Sequence, residues 1–198
     1  MRKKLKDSSG LTMVEMLCAV AILVLLCLMM NTGIHMAVTN YRALTSESEI
    51  QLLLSSLSDA LADKLRYCVV YVDESGAYES CFVGGIRSED AIKVDNNHRL
   101  KVTVKDPDGG PGAKKDVDLL PEGAYGNPDG FYKGDYQVTM GSAMPEGADP
   151  AALKETYQKD TNSFAIKLTV EDANLGITKT TELTVRCLNP VKKEGPQP

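Results

Sequence analysis

Apolar positions divide the chain into stretches of different period. Residues 11–30, LTMVEMLCAVAILVLLCLMM, hold a single charge, Glu15, and no charged side chain follows until Arg42. An apolar run of that length reads as a helix able to cross a bilayer. Beyond it, Ile50, Leu53, Leu54, Leu57, Leu61 and Leu65 recur at helical spacing and form one stripe, with Glu47, Glu49, Asp59, Asp63 and Lys64 largely on the other sides. The two patterns predict a transmembrane segment over 11–34 and an amphipathic segment over 35–66. The weakest point is Asn31-Thr32-Gly33, since glycine and asparagine form helices poorly.

From Tyr67 the period shortens. Residues 67–72, 77–83, 99–104, 132–140, 163–170 and 178–187 are rich in β-branched or aromatic side chains and bounded by turn formers. In 165–170 and 182–186 the apolar residues partly alternate, as in a sheet with one wet face, and residues 172–176 read as the turn of the last hairpin. The leucine stripe is expected to cover such a sheet. Residues 105–130 and 141–162 hold many glycines and prolines and read as irregular, the second with a short helix capped by Asp149 with Pro150 in its first turn. Residues 189–198 lack a core pattern and are expected to be a disordered tail. The fold class is therefore α+β: a long N-terminal helix packed on an antiparallel β-sheet head spanning 67–188.

Charge changes this picture by compartment. Residues 1–10 carry Arg2, Lys3, Lys4 and Lys6 against Asp7, net +3, so from a total of −5 the rest of the chain carries −8. The positive-inside rule keeps the N-terminus cytoplasmic and exports the head. An acidic head argues against direct nucleic-acid binding, which needs Lys and Arg to displace counterions from phosphate.

A secretory signal peptide is cut after its apolar core, at small residues. Here Ser8-Ser9-Gly10 precedes the core, so a cut there removes the basic leader, residues 1–10, and leaves the apolar helix as the new N-terminus. A carboxylate five residues into a membrane helix needs a partner. The cut frees an α-amino group at Leu11, largely cationic at neutral pH, and in a bundle of such helices Glu15 of one subunit can meet the Leu11 amine of the next.

Gly10-Leu11-Thr12-Met13-Val14-Glu15 and the apolar run after it closely resemble the cleavage and methylation signature of type IV prepilins and pseudopilins. The resemblance covers roughly residues 1–35, with Leu11 in place of the more usual phenylalanine. It implies cleavage between Gly10 and Leu11 by a prepilin peptidase, methylation of the Leu11 amine, and an assembly role for Glu15. Its implied partners are that peptidase, an inner-membrane assembly platform, other pilin or pseudopilin subunits and the lipid bilayer. It also implies one long helix, its first half in the membrane or the filament core and its second half on a head domain.

The remaining chemistry is sparse. Cys18 and Cys27 lie in the apolar run, nine residues apart and so on opposite helix faces; neither follows the small residue that a lipid-modified cysteine normally has before it. Of Cys68, Cys81 and Cys187, only two can pair within the chain. Asp73-Glu74-Ser75-Gly76 reads as a type I turn, and a two-residue loop at its centre sets Cys68 opposite Cys81, whereas a glycine bulge would shift them one residue to a diagonal; Cys68–Cys81 is the expected disulfide. His35 and His98 sit in no metal or triad spacing. Asp106, Asp108, Asp116 and Asp118 are a conceivable calcium cluster but match no EF-hand, and read better as a solvated acidic loop. No phosphate-binding loop or dinucleotide fingerprint is present, so neither a cofactor nor an enzymatic reaction is expected.

The leading expectation is a structural subunit of a type IV pilus, a type II secretion pseudopilus or a DNA-uptake (competence) filament. A minor or pseudopilin component is preferred over a major pilin, because two long irregular loops would have to fit a tight lattice. The alternative is a β-rich surface binding domain held by an uncleaved signal anchor.

Overall fold

A computed structural model describes residues 12–126, 134–143 and 153–193. It has an α+β fold with one long apolar helix and a head of mainly antiparallel sheets. The chain divides into two compact units, residues up to Arg42 and residues from Ala43 on. Helix α1 (Met13–Arg66) contributes to both.

In the first unit α1 runs through Asn31-Thr32-Gly33 without a break. The Thr32 hydroxyl donates to the carbonyls of Leu28 and Met29, both at 3.0 Å, and Thr39 does the same to His35 at 2.9 Å. Such back-bonds satisfy a hydroxyl inside the helix itself. The expected weak point is therefore helical.

In the second unit the leucine stripe is buried as its spacing predicts. Ile50, Leu57, Leu61 and Leu65 are fully enclosed and Leu53 and Leu54 nearly so, whereas Leu52, off the stripe, is 66% exposed. The strands are β1 (Val69–Val72), β2 (Tyr78–Val83), β3 (Ile86–Ser88), β4 (Ile92–Val94), β5 (Leu100–Lys105), β6 (Lys114–Asp118), β7 (Tyr136–Ser142), β8 (Tyr157–Gln158), β9 (Ser163–Asp172), β10 (Ile177–Arg186) and β11 (Lys192–Lys193). They form three sheets: β11-β1-β2-β3, β4-β5-β6, and β10-β9-β7 with β8 also on β9. From Ile166 to Asp172, β9 alternates between covered and more open positions as a one-sided sheet should. Tyr78, Tyr157 and Phe164 pack ring against ring, with centroids 5.3 to 6.1 Å apart.

Three polar ties join α1 to the β10-β9-β7 sheet within this unit. Buried Asp172 accepts from the Ser46 hydroxyl at 2.5 Å through Oδ2, while its Oδ1 accepts the backbone N–H of Asn174 at 2.9 Å. One carboxylate thus fixes the β9–β10 turn and the helix above it. Gly176, at φ 65°, closes that turn in the left-handed region that glycine adopts freely. The second tie is Tyr136, whose hydroxyl donates to Glu49. At the surface Lys179 pairs with Glu47.

Several expectations need correction. Residues 105–130 are not all irregular: β6 pairs with β5 from Lys101↔Asp118 to Lys105↔Lys114, and a 3-10 turn covers Glu122–Tyr125. The tail is not wholly without structure. Lys192 and Lys193 pair in parallel with Tyr71 and Val72, and the Lys192 ammonium lies 6.0 Å from the Tyr71 ring centre; this is the one parallel pairing among the described residues. Strand β7 begins at Tyr136, later than the expected start. Tyr132 lies outside the described residues, as do Asp149 and Pro150 of the expected helix cap, although a 3-10 turn at Leu153–Thr156 follows them.

Candidate functional site

Of the signature residues, Thr12 to Glu15 lie at the start of α1. Gly10 and Leu11, the expected cleavage and methylation positions, lie outside the described residues. Thr12 is the N-cap and Glu15 the third helical residue. The Thr12 backbone N–H and hydroxyl both donate to Glu15 Oε2, at 2.8 and 2.9 Å, and the Glu15 N–H returns a bond to the Thr12 hydroxyl at 3.3 Å. The Met16 N–H closes the first turn on the Thr12 carbonyl at 3.1 Å.

This is a capping box, in which two otherwise unpartnered helix-start donors are satisfied reciprocally. A carboxylate in the first turn also faces the positive end of the helix dipole. The sequence reading missed this role, although Thr12-x-x-Glu15 before an apolar run is its signal. Glu15 is thus held by its own chain in a fixed rotamer. Because both bonds land on Oε2, the carboxylate keeps acceptor capacity at Oε1.

Downstream, α1 presents apolar side chains on every side. Leu17, Leu23, Met29 and Met36 are each more than 60% exposed, and no residue of the most apolar stretch is buried. A helix apolar all round is suited to a membrane or to a helical core, and this one is long and apolar enough to cross a bilayer. Cys18 and Cys27 are exposed on it. His35 is exposed on the same helix, and His98 is an exposed turn residue at φ 56°.

The four aspartates do not form a cation cage. Asp116 and Asp118 stand on β6, where Asp116 accepts from Lys93 Nζ and from the Thr103 hydroxyl, each at 2.8 Å, and Asp118 lies 3.8 Å from Arg99 and Lys101. The Lys93 ammonium, followed by the Thr103 hydroxyl, holds the Asp116 carboxyl below its ordinary range. Asp106 accepts the N–H of Asp108 at 3.2 Å in the β5–β6 turn. Among the described residues no group of three or more His, Cys, Asp or Glu side chains is arranged to hold a metal. A cleft of about 290 Å³ beside Glu49, Leu53, Leu120 and Tyr136 is lined mostly by apolar atoms, and its carboxylate is already taken by the tyrosine.

The cysteines differ most from expectation. In the β1–β2 ladder Cys81 stands opposite Val70, not Cys68. A longer turn, with Asp73 N–H on the Ala77 carbonyl and Gly76 at φ 81°, and a register shift between Tyr71 and Val72 together move the pairing by two residues. Cys68 instead faces Cys187, with their sulfurs 3.4 Å apart and both residues buried. Burial pushes the Cys81 thiol up to about 11.

No protein-family model, curated protein or solved structure matches this chain.

Proposed function

We propose that the chain is a pilin-like structural subunit, a minor pilin or pseudopilin, that enters a type IV pilus, type II secretion or DNA-uptake filament through the N-terminal part of α1. Prepilin peptidase removes residues 1–10, the Leu11 amine is methylated, and the head is held on the far side of the cell membrane until assembly. The observation that carries this reading is the apolar, all-round exposed surface of α1 with Glu15 in its first turn. Such a surface needs lipid or other helices around it. A prepilin-type cut before Leu11 would leave the exported subunit without its basic leader.

One observation favours the second reading, an uncleaved signal anchor bearing a binding domain. The capping box gives Glu15 partners inside its own chain, so the carboxylate does not require a neighbouring subunit. Intact mass of the membrane-extracted protein separates the two. The filament reading expects a chain starting at methylated Leu11; retention of residues 1–10 in a cell with an active prepilin peptidase would overturn it.

A further inference from the structure

We propose that Cys68 and Cys187 are a disulfide-forming pair that bolts the end of α1 to the end of β10, with Cys81 left as a buried thiol. The inference is independent of the filament reading, because it rests only on the geometry of the head.

Cys68 follows the last turn of α1 and Cys187 follows β10, and both backbones are fixed. The Cys187 N–H donates to the Asn162 carbonyl and the Leu188 N–H to the Arg66 carbonyl, each at 2.9 Å. The Asn189 side-chain amide reaches the carbonyls of Tyr67 at 2.7 Å and Cys68 at 3.3 Å, and the Asn162 amide returns to the Asn189 carbonyl at 3.1 Å. These bonds clamp the two segments on either side of the sulfurs, which stand 3.4 Å apart. A disulfide needs about 2.0 Å, a closing movement within the reach of small χ1 changes. Cys81 is the wrong partner by register: on β2 it pairs with Val70.

The pair is also chemically unequal. Either thiol can donate across this contact, and the proton shared there lowers the Cys187 pKa and raises that of Cys68. With Cys187 as the attacking sulfur, the exchange runs in two steps. The Cys187 thiolate displaces one thiolate from an external disulfide, forming a mixed disulfide. Cys68 then loses its proton and attacks the Cys187 sulfur, expelling the second thiolate. The two cysteines give up two electrons and two protons, and the external disulfide takes them up as two thiols. The oxidant is thus a disulfide donor, either a small-molecule disulfide or a disulfide-carrying oxidoreductase, as export compartments supply.

The bond would close a ring between residues 119 apart in sequence. Cross-links across long loops restrict the unfolded chain most, and for a domain of this size the expected rise in melting temperature is on the order of 10 °C.

The test uses the full chain with Cys18→Ala and Cys27→Ala, purified in detergent and refolded in a reduced and oxidised glutathione buffer. Peptide mapping without reductant is expected to find Cys68 joined to Cys187, and Cys81→Ser is expected to leave that bridge intact. In the Cys81→Ser chain, melting followed by tyrosine fluorescence should fall by about 10 °C when reductant is added; in Cys187→Ser it should not respond. A dominant bridge containing Cys81 overturns the proposal. So does a refolded chain in which all three thiols still react with maleimide, or a bridge whose reduction leaves the melting temperature unchanged.

Discussion

Glu15 has two candidate roles, and replacing it with glutamine pulls them apart. The structure shows the capping box, with both Thr12 donors on Oε2. A glutamine at the third helical position can accept the same bonds, so Glu15→Gln keeps the cap and removes the charge, whereas Glu15→Ala removes both. Losing the cap costs about 1 kcal/mol. An ion pair between the carboxylate and a neighbouring Leu11 amine about 4 Å away is worth about 4 kcal/mol at an effective dielectric constant of about 20. A neutral amide keeps about 1 kcal/mol of that as an ordinary hydrogen bond. The charge therefore accounts for about 3 kcal/mol per subunit contact, roughly 100-fold in affinity. Incorporation is read by quantitative immunoblotting of sheared filaments, beside a membrane-fraction control and an intact-mass check that each variant is processed. The pairing predicts that Glu15→Gln and Glu15→Ala both assemble poorly, and that Thr12→Ala, which loses only the cap, assembles nearly as well as wild type. If Glu15→Gln assembles like wild type while Thr12→Ala and Glu15→Ala fall together, Glu15 acts as a cap and the ion pair is wrong.

Other expectations follow from the head. Leu57→Ala, at a fully enclosed position, should cost about 2–5 kcal/mol in denaturant unfolding, while Leu52→Ala, at a position 66% exposed, should change it by less than about 0.5 kcal/mol; equal effects would contradict the orientation of the stripe. Asp73, held low by the Ser75 hydroxyl and the Ala77 N–H, and Asp116, held low by Lys93, both have folded values below those of the unfolded chain. Their contribution is present above the unfolded value of about 3.9 and is lost as pH falls through the folded values. Unfolding midpoints at constant ionic strength should therefore drop on acidification below about pH 4, and less so in Asp116→Asn. As a minor component, the chain should be a trace species by quantitative mass spectrometry of sheared filaments, and its dominance there would reverse that assignment.

Local pattern was enough to read the helical stripe, the hydrophobic segment, the last hairpin and the α+β class. Each depends on a period of 3.6 or 2 residues, or on turn formers adjacent in sequence. The capping box is equally local, carried by Thr12 and Glu15, but the cost of a carboxylate in lipid is the more conspicuous property of the same residue. What tertiary structure alone decided depends on offsets that no short window contains. One longer turn and one register shift in the β1–β2 ladder move Cys81 from Cys68 to Val70, and the return of the chain after β10 brings Cys187 there instead. Asp116 and Asp118 looked like a loop cluster until pairing with β5 set them against Lys93, Arg99 and Lys101. Lys192 and Lys193 read as tail because their partner, β1, lies about 120 residues earlier. Periodicity reports which face of an element is buried; the partner it meets is set by strand register and chain return, where a one-residue slip changes every cross-strand neighbour.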